Sequence, residues 1–257
     1  DGTYRVFGTA YSFISALLIN PMNPLNEQSN QTKGNRVLTN AAFIYNPIPE
    51  LTIKVSGGIE NMDDRTDSYT TNNYINSQGS AGISTSQFTS LLSENTVSYL
   101  KTIGQKHNIS AVAGFTYQDF LSTSLGGNGV GFLSNTSQTY DLAAANTPGI
   151  PNSSYSYSTL LSYLGRFNYS YDSKYLATLS FRVDGSSKYS KGNKWGYFPS
   201  AALAWRISNE EFLKNNTFIS DLKLRASWGL TGSQAIGPYA TLNQLIKKKT
   251  VFENDLH

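Results

Sequence analysis

Four successive stretches of this chain alternate between apolar and polar residues, and each stretch carries its single arginine on the polar side. Successive side chains of a β-strand point to opposite faces of a sheet, so this alternation predicts strands with one apolar and one polar face. In the last stretch, leucine, alanine and tryptophan share one face, and Lys223, Arg225 and Ser227 share the other. The four stretches are 161–171, 174–184, 193–207 and 221–230, and their arginines are Arg166, Arg182, Arg206 and Arg225.

The common phase of the arginines is typical of a transmembrane β-barrel. An arginine that faced lipid at the bilayer midplane would cost about 2–4 kcal/mol, so the polar face is expected to line the lumen. A strand of about ten residues rises about 33 Å and, when tilted by about 40°, crosses an apolar band of about 25 Å. Tyrosine and tryptophan gather near the strand ends, where a barrel has its interfacial girdles. The four stretches therefore predict an all-β fold, an antiparallel transmembrane β-barrel.

The composition agrees with this fold and argues against several others. The chain has 257 residues, no cysteine, 14% charged residues and a formal net charge of +3. The absence of cysteine excludes disulfides and thiolate chemistry, and the mild charge without a basic stripe argues against nucleic-acid binding. A mean hydropathy of −0.33 argues against a helical membrane protein but is compatible with barrel strands, whose inner face is polar. A soluble antiparallel sandwich also alternates and stays open as an alternative.

Earlier in the chain, further strands fit the same scheme and bring the total to about eight. They are expected at 36–46, 51–60, 93–102 and 107–120. Short connections are expected at one end of the sheet, at 46–50, 103–106 and 172–173, together with a longer connection across 208–220 that holds a helical turn at 209–213. Long connections are expected at the other end, at 61–92, 121–158 and 185–196. Because outer-membrane barrels have short periplasmic turns and long extracellular loops, we expect the long connections to lie outside the cell.

We expect the chain to be an interior segment of a larger protein, although eight strands can close into a small barrel. Residues 4–19 are fairly apolar, but they lack the features of a signal peptide and are too few for a membrane helix. Residues 251–257 lack the terminal aromatic strand that bacterial barrels usually carry. The many small polar residues on the inner face also suit a wide lumen better than a packed one.

Three blocks of sequence carry a resemblance to a known family. They are YLGRFNYSYDSKYLATLSFRVDGSSKY at 163–189, NKWGYFPSAALAWRISNEEFLK at 193–214 and ISDLKLRASWGLTGSQ at 219–234. Through these blocks the chain resembles the SusC/RagA family of TonB-linked, that is TonB-dependent, outer-membrane transporters. The resemblance extends from about Asn20 to Leu245, and its best-matched core is 161–242.

The resemblance implies a plugged barrel of 22 strands, covered outside by a SusD-like lipoprotein and energised through TonB. Residues 1–257 would all belong to one barrel domain in the outer membrane, without the plug, the TonB box or the final strands. The cargo would be oligosaccharides or, as in the RagA branch, peptides. The segment would supply part of the wall, in contact with outer-membrane lipid, and external loops that face the cargo.

Aromatic residues of the expected external loops are the candidate ligand-binding residues, because their rings can stack on sugar rings or on peptide side chains. The alternative role for each of them is packing between loops or placement at the membrane interface. The candidates are Tyr69, Tyr74, Tyr140, Tyr155, Tyr157 and Trp195.

Two roles fit the lumen-facing arginines, Arg166, Arg182, Arg206 and Arg225. They either contact the cargo or form salt bridges with Asp184, with other carboxylates of the wall or with the plug. We favour salt bridging on the basis of the sequence, since all four share one phase and a nearby wall carboxylate is available in Asp184.

Catalysis and metal binding find little support in the sequence. His107 lies at a turn and His257 at the chain end, and neither has a nucleophile or carboxylate partner nearby in sequence. The glycine-rich residues 126–131 lack the Lys-Ser/Thr of a phosphate-binding loop and are expected to form a flexible external loop. Asp63, Asp64 and Asp67 are weak candidates for calcium ligands, because their spacing does not match an EF-hand. We therefore expect no enzymatic activity and no cofactor.

Three classes of protein stay open at this point. The favoured class is a transporter wall segment, and the others are a complete small structural or adhesin-like outer-membrane barrel and a secreted carbohydrate-binding β-sandwich. A native polypeptide of 257 residues would favour the last two. Dependence on detergent would separate those two, because only a barrel exposes a contiguous apolar belt.

Overall fold

Nine β-strands form most of the regular structure in this computed structural model, which describes residues 21–213 and 218–242. One short α-helix, α1 (Met22–Glu27), precedes the strands, and two 3-10 helices lie at Leu142–Ala144 and Ile207–Asn209. The strands are β1 (Gln28–Ile48), β2 (Leu51–Thr70), β3 (Ser80–Ile103), β4 (His107–Phe132), β5 (Ala145–Pro148), β6 (Asn152–Tyr171), β7 (Tyr175–Ser186), β8 (Trp195–Arg206) and β9 (Lys223–Gly229).

The strands form one sheet in the order β1-β2-β3-β4-β6-β7-β8-β9, and β5 pairs with β4. The pairs β1–β2, β4–β5, β6–β7, β7–β8 and β8–β9 are antiparallel. All eight strands expected from the alternation are present, so the predicted antiparallel all-β fold is confirmed.

Most strands are longer than expected, because they continue where the alternation of hydrophobicity stops. β3 has 24 residues and β4 has 26, more than the ten or so needed to cross the apolar band. Residues 61–70, 80–92 and 121–132 have few apolar residues and no regular alternation, and for that reason they are expected to be loops. Residues 49–50, 104–106 and 172–174 form tight turns at the short-turn end, whereas 71–79, 133–151 and 187–194 connect strands at the long-loop end. The exception at the short-turn end is the longer connection 207–222 between β8 and β9.

The described residues divide into two compact units. The first contains the residues up to Thr96 together with Thr116–Tyr157, and the second contains Val97–Phe115 together with the residues from Ser158 onward. We describe each unit by itself. None of the helices within residues 21–213 and 218–242 has the length and apolar character needed to cross a bilayer.

In the second unit, strand pairing gives the sheet two chemically distinct faces. Across β6, β7 and β8 the register aligns Phe167, Leu179 and Ala201 on one face and Arg166, Ser180 and Ser200 on the other. We call the arginine-bearing face the inward face and the apolar one the outward face. Leu203 on the outward face is 66% exposed, and no second sheet covers it among the residues that the structure describes. The sandwich alternative is therefore wrong, because a sandwich buries its apolar face under another sheet.

Aromatic side chains form two rows on the outward face of the second unit. At the short-turn end, ring centroids are 5.0 Å apart for His107 and Tyr171, 6.4 Å for Tyr171 and Tyr175, and 6.5 Å for Tyr175 and Trp205. Nearer the long-loop end, the separations are 5.3 Å for Phe115 and Tyr163 and 6.5 Å for Tyr163 and Trp195. Trp195 and Trp205 are ten residues apart on β8. On a tilted strand this separation corresponds to about 25 Å, the height of the apolar band of a membrane barrel.

The first unit has a small core at the long-loop end. Tyr69, Ala81, Phe132 and Ala145 are buried together, and the Tyr69 and Phe132 rings meet edge to face at 6.4 Å. The Asn135 side chain joins the loops above this core. Its Oδ1 accepts hydrogen bonds from the Tyr69 hydroxyl at 2.8 Å and the Asn72 N–H at 3.1 Å, and its Nδ2 donates to Asn72 Oδ1 at 2.6 Å.

Glycine-rich residues 126–131 lie in β4, so the expectation of a flexible loop there is wrong. Gly129 pairs with Pro148 of β5, and a Cβ at Gly129 would lie 2.6 Å from the Ala145 Cβ. Glycine therefore lets β5 approach β4 closely at this position. β5 itself was not predicted, because its four residues are too few to show alternation and include a proline.

We predict that Gly185→Val destabilises the outward face near Trp195. Gly185 pairs with Trp195, and a Cβ at Gly185 would lie 2.7 Å from the indole ring. The added side chain must displace the ring, at a cost of about 1–3 kcal/mol for overpacking. Thermal unfolding of the full-length protein, followed by the heat-induced shift of the folded barrel on a gel, measures the effect.

Gly165→Val is the matched control for this substitution. Gly165 lies on the same face in the neighbouring strand β6, but a Cβ there meets nothing within 4 Å. We expect the control to unfold at nearly the wild-type temperature. Equal losses in the two variants would show that Trp195 does not pack against the Gly185 backbone as described.

We further predict that Asn135→Ala opens the loops above the core of the first unit. The substitution leaves the buried Tyr69 hydroxyl without its acceptor, which costs about 1–3 kcal/mol. Hydrogen–deuterium exchange at residues 71–79 and 131–141 should become faster. Asn73→Ala is the control, because the Asn73 side chain is exposed; unchanged exchange in Asn135→Ala would contradict the assigned role.

Candidate functional site

The candidate site is a groove on the inward face of the second unit, lined by polar side chains and by apolar ones such as Phe198 and Trp228. It has a volume of about 930 Å³ and is lined by residues of β6, β7, β8 and β9 and by residues 230–232. Among the lining residues are three of the four predicted lumen-facing arginines, Arg166, Arg182 and Arg225. Such a volume lies within the range of ligand-binding clefts in proteins.

Strand register sets the position of each arginine along the wall. We give that position as the number of the β8 residue that lies level with the arginine, and we call β8 the ruler. Arg182 pairs with Phe198, and Arg166 lies level with Ser200 through its partner Ser180. Arg225 pairs with Ala204, two residues before Arg206. The four arginines thus span positions 198 to 206 of the ruler, a distance of about 26 Å along the strand. We call this series the arginine track.

The two ends of the track are paired with carboxylates. Arg182 Nε donates to both oxygens of Asp184, at 2.8 and 2.9 Å, and its Nη2 donates to Ser162 Oγ at 3.2 Å. Arg206 Nε lies 3.4 Å from Asp221 Oδ1, an ion pair without hydrogen-bond geometry. Two of the four arginines thus have a carboxylate neighbour, and the salt-bridging role favoured for all four from the sequence stays a prediction.

The two arginines in the middle of the track behave differently. Like Arg182, both Arg166 and Arg225 are exposed, but neither has an ion-pair partner in the part of the chain that the structure describes. Three nearby hydroxyls are already hydrogen-bonded: Thr178 Oγ1 donates to Asn168 Oδ1 at 2.9 Å, and the oxygens of Ser180 and Ser200 are 2.5 Å apart. The guanidinium N–H groups of these two arginines are therefore available to a ligand, beside the hydroxyls of Ser227 and Thr231.

Sequence reasoning overlooked the outer end of the groove. Phe198 lies there on the inward face, and its ring would be 2.4 Å from a Cβ at Gly232. The segment after β9 returns to this ring and is held by the Tyr189 hydroxyl, which donates to Ser233 O at 2.7 Å. In the sequence, Phe198 stands out because it is an aromatic residue at a polar-face position of β8.

The predicted ligand-binding aromatics do not form one site. Tyr69 is buried and uses its hydroxyl in the loop core, Tyr74 is half-buried in the 71–79 connection, and Tyr140 is 85% exposed. Tyr155, Tyr157 and Trp195 occupy odd positions of β6 and β8, the phase of the outward face in these strands. Tyr157 shares a hydrogen bond with Tyr117. None of the six lines the groove.

The three candidate calcium ligands lie on β2 and do not converge. Asp63 and Asp64 are consecutive strand residues and therefore point to opposite faces. Asp67 is engaged by Arg65, whose Nη2 lies 2.9 Å from Asp67 Oδ1. Among the described residues, no group of three or more His, Cys, Asp or Glu side chains could hold a metal ion.

The histidines show no catalytic arrangement within the described residues. His107 Nδ1 lies 2.8 Å from the Tyr169 hydroxyl, and its ring also packs against Tyr171 in the aromatic row at the short-turn end. His257 lies outside the described residues.

A carboxylate-centred cluster, which the sequence did not predict, ties the strands together at the short-turn end. Glu210 Oε1 accepts from Trp205 Nε1 at 3.0 Å and from the Tyr175 hydroxyl at 2.8 Å, and Glu210 Oε2 accepts from Lys174 Nζ at 3.3 Å. These donors, Trp205 first, hold the pKa of Glu210 below its usual value, and Glu210 in turn raises the pKa of Lys174. The expected helical turn at 209–213 begins slightly earlier, with the 3-10 helix Ile207–Asn209.

The sequence is similar to TonB-dependent receptors. No family model matches the chain. The chain is 32% identical over 256 residues to TonB-dependent receptor P26 of Formosa agariphila, covering 97% of this chain and 26% of that protein. A shorter stretch of 79 residues is 58% identical to the TonB-dependent receptor SusC of Bacteroides thetaiotaomicron, covering 31% of this chain and 8% of that protein.

The structure is similar to that of the RagAB peptide transporter, with a TM-score of 0.82 and 26% sequence identity over 92% of this chain and 26% of that chain. The RagAB peptide importer in its open-open state gives the same TM-score. The chain thus spans about a quarter of the length of the proteins it matches over most of its own length. These matches confirm the predicted resemblance. The matched proteins are named as receptors and transporters.

We predict that acid weakens the short-turn end through Glu210. Because the folded state lowers the Glu210 pKa, the unfolded state binds a proton first as pH falls. The stabilisation is therefore fully present above the unfolded value of about 4.3 and is lost as pH falls through the lower folded value. Glu210→Gln should unfold at a lower temperature than wild type at pH 7, and the difference should shrink below about pH 4.

Glu211→Gln serves as the control, because Glu211 is exposed and adjacent in sequence. We expect this variant to follow the wild-type pH dependence of the unfolding temperature in the full-length protein. A Glu210→Gln variant that keeps a constant difference from wild type between pH 7 and pH 3 would contradict the prediction.

Proposed function

We propose that this chain, which belongs by sequence and sheet structure to the SusC/RagA group of TonB-dependent receptors, is part of the wall of an outer-membrane import barrel. The observation that supports this most strongly is the structural similarity of the chain to RagAB, with a TM-score of 0.82 and 26% sequence identity. The function is transport, and the residues of this segment would contribute binding surface and structure rather than chemistry.

The outward face is where we place the lipid. Its two aromatic rows have the separation expected of the two interfacial girdles, and the leucines between them, such as Leu179 at 59% exposure, would otherwise contact water. The short-turn end then faces the periplasm and the long-loop end the cell exterior. In this orientation the Glu210 cluster of the second unit lies on the periplasmic side.

The inward groove is the part of the segment that we assign to the cargo path. Its lining of guanidinium, hydroxyl and amide groups suits polar cargo, either oligosaccharides or peptides. The long-loop end would meet a SusD-like lipoprotein lid, and a region outside this chain would receive energy from TonB. β1 and β9 would pair with the neighbouring strands of the complete barrel, because lipid does not tolerate unpaired strand edges.

Isolation of the native protein tests the proposal directly. The protein is extracted from outer membranes with and without cross-linking, and its intact mass is measured. We expect a polypeptide about four times as long as these 257 residues, cross-linked to a lipoprotein. A native polypeptide of 257 residues without a partner would overturn the proposal in favour of a small self-contained barrel.

Uptake measurements complete the test. Cells that produce the full-length protein are given labelled peptide and oligosaccharide mixtures, and accumulation is compared with that in cells lacking the protein and in cells lacking TonB. We expect accumulation of one mixture to require both. Accumulation that persists without TonB would contradict TonB-dependent import.

A further inference from the structure

We propose that the middle of the arginine track is a binding site for carboxylate groups of the cargo, so that the transporter favours acidic cargo. This inference rests on the proposed function and adds a selectivity to it. Carboxylates occur in acidic peptides and in uronic acid-containing oligosaccharides, and the same guanidinium chemistry recognises both.

The first argument is the contrast between arginines of the same wall. Arg182 and Arg206 each have a carboxylate beside them, Asp184 and Asp221. Arg166 lies on β6, with described strands on both sides, and has no such partner among the described residues. If Arg166 had the same structural role as Arg182 and Arg206, the same local compensation would be expected for it. Arg225 is on the same face, on β9, the last described strand.

The second argument is the net charge of the groove. Three guanidinium groups and one carboxylate, that of Asp184, line it, which leaves an excess of two positive charges. The hydroxyls between Arg166 and Arg225 are neutral, and those of Ser180 and Ser200 contact each other. An uncompensated positive concavity attracts anions and concentrates them at its surface.

The third argument is geometric. On the β8 ruler Arg166 lies at position 200 and Arg225 at position 204, about 13 Å apart along the strand and three strand spacings apart across the sheet. One small anion cannot bridge such a separation, whereas a chain with several carboxylates can contact both arginines. Arg182 lies at position 198, so the series continues toward the long-loop end. The site therefore suits an extended polyanionic cargo that passes along the wall.

The test uses the full-length transporter purified with its partner and two pairs of probes. One pair consists of nine-residue peptides that differ only in two Glu-for-Gln exchanges. The other pair is an oligogalacturonate and its methyl-esterified form, which is neutral. Binding of each probe is measured by calorimetry at low and at physiological salt.

The variants are Arg166→Gln, Arg225→Gln and the double variant. We expect wild type to bind the acidic member of at least one pair more tightly, and each substitution to weaken that binding by up to about fivefold. Binding of the neutral member should not change, and the preference of wild type should decrease at higher salt. The pair that shows the preference identifies the source of the carboxylate.

Two further variants keep the test interpretable. Lys54→Gln removes an exposed cation from β2, which does not line the groove, and should leave both affinities unchanged. Arg166→Lys keeps the charge but loses the bidentate fork, and should retain part of the preference. The heat-induced gel shift confirms that each variant is folded.

Three outcomes would overturn the inference. Equal wild-type affinity for acidic and neutral members would remove the selectivity and leave the proposed function standing. Equal losses for both members in the Arg166 and Arg225 variants would show that these arginines hold another part of the protein. Absence of binding to all four probes in wild type, together with absent uptake, would overturn the proposed function as well.

Discussion

Strand register is the constraint on which the other features of this wall depend. Side chains alternate with a period of two, so a slip of one residue would turn all the arginines of a strand toward lipid and its leucines toward the lumen. Tight turns keep the register. At the β6–β7 turn, Asp172 and Ser173 adopt positive φ values of 51° and 54°, which short polar residues tolerate better than branched ones. Tyr171 then pairs with Tyr175, and the faces of both strands follow.

How well the sequence predicted each strand depended on the same alternation of side chains. Where apolar and polar side chains alternate, the sequence indicated strand, phase and turn, and the positions of Arg166 and Arg225 on one face followed directly. The continuations of β2, β3 and β4 have few apolar residues and no regular alternation, so they left no pattern to detect. The pairing of β5 with β4, in which Pro148 lies opposite Gly129, depends on close backbone approach, which no periodicity records.

The candidate site was predictable in part for the same reason. The phase of the arginines was visible in the sequence, and so was Asp184, which lies two residues after Arg182. Asp221 was not, because the loop after β8 brings it to Arg206. The external aromatics illustrate the opposite limit. Tyr155 and Trp195 were assigned to cargo from their position in expected loops, whereas the strands in which they lie place them in the outward phase. The residue type predicted that these aromatic rings make contacts, but it did not predict on which face of the sheet they lie.

The Glu210 cluster has a consequence for how this wall forms. Its donors come from the β6–β7 turn, the start of β7 and the end of β8, and the longest sequence separation among these hydrogen bonds is 36 residues. Two of these hydrogen bonds join residues 35 and 36 positions apart, so they close long loops and lose more loop entropy than the tight β6–β7 turn does. The β6–β7 and β7–β8 hairpins therefore have to form first, and the Glu210 cluster then joins their ends.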